Sequence, residues 1–79
     1  MRAGRDFRLI VRRGGLAPAF LASPDRLDHI EVVEIDGGEV VFFWDCPPAL
    51  ASRRAREVRE DLTRMDREDF LARWSVVED

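Results

Sequence analysis

Few side chains in this sequence can do chemistry. There is one histidine, His29, one cysteine, Cys46, three serines, one threonine and a set of carboxylates; lysine, asparagine, glutamine and tyrosine are absent. Their absence removes the Schiff-base amine, the phenolic acid and the bidentate readers of adenine. The sharpest remaining constellation is a reactive thiol pair, Cys46 with His29. The two residues bracket a pair of strand-like runs joined by Gly37-Gly38. If that turn holds only two residues, cross-strand partners have numbers that sum to 75, and His29 lies opposite Cys46, close to Asp28 and Asp45. A thiolate beside an imidazole is a nucleophile. The plainer alternative is a ladder that ends before its mouth, with Pro47 drawing the chain aside. It is the preferred reading, so no catalytic residue is assigned.

Metal and cofactor chemistry finds little support. A closed zinc site takes about four Cys or His ligands, and the chain has one of each. Asp66, Glu68 and Asp69 suit the positive end of a helix, which explains them without a metal. Neither Gly14-Gly15 nor Gly37-Gly38 sits in a phosphate-binding G-x-G-x-x-G or Walker setting; both read as turn glycines. No cofactor and no metal are expected. A lone cysteine excludes an internal disulfide and suits a reducing cytoplasm. The stretch Met1 to Arg8 and the short Leu9-Ile10-Val11 run lack the apolar core of a signal peptide, and nothing approaches the run of about 18 apolar residues that spans a bilayer. Secretion and membrane insertion are not expected.

The arginines form a second candidate site. Arg2, Arg5, Arg8, Arg12 and Arg13 stand against Asp6 alone, while residues 66–79 carry five acids against two arginines. A basic arm of this kind can contact phosphates. A net charge of −3 and a pI near 5.1 oppose general nucleic-acid affinity, so this stays the alternative reading. Arg53, Arg54, Arg56 and Arg59 resemble a basic recognition helix until their neighbours are counted. Arg53 with Glu57, Arg56 with Glu60, Glu60 with Arg64 and Arg64 with Glu68 are i,i+4 pairs on a self-neutralising, solvated face.

The elements that must position these groups follow from periodicity. With 79 residues, 46% hydrophobic and 37% charged, the chain is sized for one domain and too apolar for disorder. Phe7, Leu9 and Val11 alternate with Arg8, Ile10 and Arg12 over residues 7–13, the period of a half-buried strand. Residues 29–36 and 39–45 form a tight hairpin around Gly37-Gly38. Proline at position 48 suits a first helical turn, and Ala51, Ala55, Val58, Leu62 and Met65 recur at the spacing of a helix stripe. The stripe loses phase at Asp66, which reads as the N-cap of a second, short helix ending near Trp74. Residues 1–6 and 75–79 are expected to be flexible ends of a single domain.

The expected fold is α+β: a three-stranded antiparallel sheet with a central tight β-hairpin, packed by one long amphipathic C-terminal helix and a short terminal helix. In the two-residue register, Val33, Ile35, Val40, Phe42 and Trp44 join Phe7, Leu9 and Val11 against the helix. Ile30, Val32, Val41 and Phe43 are then left on the second face. Contiguous apolar surface of that kind marks a partner site. The sequence therefore points to a small cytoplasmic protein-interaction module or homodimeric accessory protein without catalytic activity. It leaves open whether residues 14–28, with Leu16, Phe20, Leu21 and Leu27, fold over that face instead.

Overall fold

The computed structural model describes residues 2–13 and 27–77. After a single 3-10 turn at Ala3–Arg5 come β1 (Phe7–Arg12), β2 (Asp28–Glu34), β3 (Val40–Cys46), α1 (Pro48–Arg64) and α2 (Arg67–Trp74). The three strands form an antiparallel sheet in the order β1-β2-β3, and the α+β architecture is the one the periodicity predicts. Proline occupies the first turn of α1, and Ala51, Ala55, Val58 and Leu62 are its buried stripe. Asp66 caps α2, its side chain accepting from Asp69 N–H at 3.0 Å.

Both helices lie on one face of the sheet. Phe7 of β1 stacks on Phe70 of α2 with ring centroids 5.5 Å apart. Trp44 of β3 meets Trp74 of α2 at 5.5 Å, and Phe42 touches both Trp44 and Phe70. The alanines at the start of α1 let its backbone approach the strands, while the large rings come from α2 and fill the space the alanines leave.

The hairpin departs from the two-residue form. Glu34 N–H donates to Glu39 O at 2.8 Å and Gly38 N–H donates to Glu34 O at 3.0 Å, so the loop runs from Ile35 to Gly38. Gly37 and Gly38 have φ of 99° and 72°, the left-handed region in which a Cβ is strained. Below the loop the register slips between Val32 and Val33: Val33 pairs with Val40, but Val32 pairs with Phe42, leaving Val41 as a bulge. Ile30 then lies opposite Trp44 and Glu31 opposite Phe43. The reason is electrostatic as much as steric. The two-residue register would place Glu31 beside Trp44 among the helices, burying a carboxylate, whereas the observed one turns it outward and buries Ile30 and Val32 completely.

The ends are also better anchored than their composition suggests. Ala3 is fully buried and its N–H donates to Met65 O at 2.8 Å, and Asp6 O accepts from Ile35 N–H at 2.9 Å. A Cβ on Gly4 would stand 3.1 Å from Leu62 O, so small side chains let this segment lie against α1. Arg67 ties the same corner together. Its guanidinium donates to Glu34 at 2.7 Å, sits 3.7 Å from Asp6 and covers the Phe7 ring at 4.9 Å. The hydrogen bond to Glu34 raises its pKa above the usual arginine value, with partial desolvation opposing. At the other end, Trp44 Nε1–H donates to Val77 O at 3.0 Å. Residues 2–6 and 75–77, within the ends expected to be flexible, thus make defined contacts with the rest of the fold.

Candidate functional site

Alternation along the strands sends Asp28, Ile30 and Val32 toward the helices and His29, Glu31 and Val33 to the opposite face. Strand register then builds three rows across that open face. Arg12, His29 and Asp45 form the first, Ile10, Glu31 and Phe43 the second, and Arg8, Val33 and Val40 the third. No described helix covers these rows. Phe43 remains 49% exposed and Val40 55% exposed, with Ile35 at 50% in the adjoining loop. A shallow hollow of about 160 Å³ lies among Arg8, Ile10, Val33, Glu34, Ile35 and Gly38.

Of the four expected interface residues, Phe43 is on the open face. Val41 is half-buried and packs against the core from its bulge position. Ile30 and Val32 are corrected to the core, because the one-residue slip reverses the facing of β2. Val40 and Ile35, expected inside, take their place outside. The possible cover by residues 14–28 falls largely on 14–26, which lie outside the described residues; Leu27 is exposed and Asp28 buried.

The same slip separates the thiol pair. His29 pairs with Asp45 and Cys46 with Asp28, so the imidazole and the sulfur occupy opposite faces of the sheet. Cys46 is fully buried, with Arg54 Nη1 donating to Sγ at 3.3 Å. His29 Nδ1 contacts Asp45 Oδ1, and its ring stacks on Phe43 with centroids 5.7 Å apart. A carboxylate that orients an imidazole is half of a general-base device. The other half, a nucleophile, is missing among the described residues of this face: Ser52 and Thr63 lie on α1, and Ser75 Oγ–H donates to Ala72 O. Among the described residues no group of three or more His, Cys, Asp or Glu is placed to hold a metal ion. No helix among them is long and apolar enough to cross a membrane.

The basic arm is dispersed. The Arg2 side chain donates to Arg64 O at 2.5 Å, and its backbone forms an isolated antiparallel β-bridge with Asp66 at the junction of the helices. Arg5 lines a separate hollow with Asp6, Glu34, Asp36 and Arg67. Arg8 and Arg12 share the open face, and Arg13 lies beyond the end of β1, lining a groove with Val11 and α1. Two acids, Glu31 and Asp45, balance Arg8 and Arg12 in the rows above.

One buried polar group that sequence reasoning did not single out is Asp61 of α1. It is only 5% exposed, and its Oδ2 accepts from Arg73 Nε–H at 2.6 Å and from Trp74 Nε1–H at 3.1 Å. The signal was present: Asp61 follows Val58 by three residues and therefore shares the buried stripe. Its partners lie on α2, so it fastens the two helices to each other.

No protein-family model matches the chain, and no curated protein or solved structure matches it either.

Proposed function

We propose that this protein is a non-catalytic protein-interaction module that works as a homodimer through the β3 side of its open sheet face. The observation that carries the reading is the exposure of Phe43 and Val40 on a face that no described element covers. Phe43 is 49% exposed, so covering it withdraws roughly 100 Å² from water and contributes about 2.5 kcal/mol per copy. Two rings contribute about 5 kcal/mol, at the low end of the roughly 4 to 15 kcal/mol that association costs. Val40 and backbone pairing must supply the rest. A second copy brings the same apolar residues in equal number, and a chain this short gains most from shared burial. Light scattering coupled to size exclusion tests this: the expected result is a mass of twice 9.1 kDa that falls on dilution. A chain that stays monomeric at about 1 mM, where an association of only about 4 kcal/mol is half formed, overturns it.

A second reading has one observation in its favour. Arg8 and Arg12 share a face with the rings of Phe43 and His29, a combination that stacks and neutralises single-stranded nucleic acid. Glu31 and Asp45 interleave with those arginines and cancel their field, which ranks it second. Salt-dependent anisotropy of a labelled oligonucleotide tests it, and unchanged anisotropy at low salt removes it.

A further inference from the structure

We propose that the outer edge of β1, with the groove between it and α1, takes up an extended acidic segment of another protein as an added strand. The site is separate from the dimer face and stands without it. The ladder itself shows which backbone groups are turned outward. Asp6 O accepts from Ile35 N–H at 2.9 Å, and the register that follows pairs Arg8 with Val33, Ile10 with Glu31 and Arg12 with His29. In an antiparallel pair alternate residues turn both N–H and C=O to the neighbouring strand. Asp6, Arg8, Ile10 and Arg12 therefore face β2, and Leu9 and Val11 face away from it. Among the described residues no strand pairs with β1 on that side, and neither Leu9 nor Val11 has a backbone partner there. Val11 is 40% exposed.

The side chains along this edge select the occupant. Val11 and Arg13 line a groove of about 340 Å³ with Ser52, Ala55 and Arg59 of α1. Spacings of three and four put those α1 residues on one helix face, beside the strand. The groove is apolar at Val11 and Ala55, carries exposed guanidinium groups at Arg13 and Arg59, and has no carboxylate among its lining residues. Arg67 and Arg73 are held by acids, whereas Arg13 and Arg59 have no ion pair among the described residues. An added strand turns alternate side chains toward α1 and toward the open face. The first set meets Val11 and Ala55 between Arg13 and Arg59, and the second meets Ile10 between Arg8 and Arg12. Apolar side chains flanked by carboxylates answer both, and main-chain pairing with Leu9 and Val11 supplies the register. A second copy of β1 fits poorly: the pairing centred on Ile10, which uses both Leu9 and Val11, sets Arg8 opposite the other copy's Arg12, and like charges repel.

The test combines the intact chain with a labelled heptapeptide blocked at both ends, Glu-Thr-Val-Glu-Val-Thr-Glu, and with the same peptide carrying lysine for each glutamate. Binding is read by anisotropy and the site by residue-resolved hydrogen exchange. The acidic peptide is expected to bind with a Kd below about 1 mM at low salt, to weaken as salt rises, and to slow exchange at Leu9 and Val11 while leaving β3 unchanged. The lysine peptide is expected not to bind. Arg59→Glu, at an exposed position of α1, is expected to weaken the acidic peptide about tenfold or more, and Arg53→Glu, an equal change of net charge away from the groove, less than about twofold. Circular dichroism checks that both variants fold. No binding of the acidic peptide at about 1 mM, equal binding of the two peptides, unchanged exchange at Leu9 and Val11, or equal effects of Arg53→Glu and Arg59→Glu each overturns the site. None of these results alters the scattering mass, so the two proposals fail separately.

Discussion

Replacing Asp61 by alanine separates the two helices from their shared fastening, and its cost follows from two contacts of unequal burial. Trp74 is almost wholly buried, and its indole N–H at 3.1 Å loses its acceptor, which costs about 1 to 3 kcal/mol for an unsatisfied buried donor. Arg73, whose side chain is 42% exposed, finds water instead, so its loss adds only about 0.5 to 1 kcal/mol. The sum, about 2 to 4 kcal/mol, is a large part of the roughly 4 to 12 kcal/mol expected for a chain of this length. It corresponds to a midpoint lowered by roughly 10 to 30 °C. The assay is urea and thermal unfolding by far-ultraviolet circular dichroism at one fixed protein concentration, since the proposed dimerisation would make stability concentration-dependent. Trp74→Phe removes the donor itself. Combined with Asp61→Ala it is expected to cost about 1 to 2 kcal/mol less than the two single changes added together. An Asp61→Ala protein within about 0.5 kcal/mol of the parent, or a cycle with no coupling, refutes the reasoning.

The slipped register makes a paired prediction: Ile30→Ala opens a cavity and costs about 2 to 4 kcal/mol, while Val33→Ala on the open face costs under about 1 kcal/mol, and the reverse order in denaturant titrations sinks the register. Gly37, at φ 99°, is expected to lose about 1 to 2 kcal/mol on change to alanine, measured the same way; no loss means the loop does not hold that conformation. Cys46 should react with an aromatic disulfide about a hundredfold or more slower in the native protein than in urea, because the sulfur is reached only through opening. Equal rates place the thiol at the surface.

Much of the architecture is readable from residue order because its signals are local. The stripe Ala51, Ala55, Val58 and Leu62 has a single helical solution, proline at position 48 and Asp66 supply start and restart signals that act within one turn, and β1 alternates cleanly. What escaped reading depends on partners distant in the chain. Ala3 and Gly4 carry no periodicity, and only the groove beside Leu62 and Met65 gives them a place. Asp61 looks like one more charge on an arginine-rich helix until Trp74 and Arg73 of α2 arrive beside it.

Residue types and spacing alone determined that the described residues hold three strands followed by two helices, and that the hairpin turns at its paired glycines. Only the tertiary structure decided which side of β2 faces the helices. Ile30, Val32, Val33 and Ile35 offer apolar side chains to both faces, so the pattern of β2 tolerates either register. Packing against Phe70 and Trp74, with Glu31 excluded from the interior and Val41 bulged to absorb the slip, selects one. A shift of a single residue exchanges the faces of β2 against an unchanged β3, which is why Ile30 and Val32 belong to the core while Phe43 stays outside.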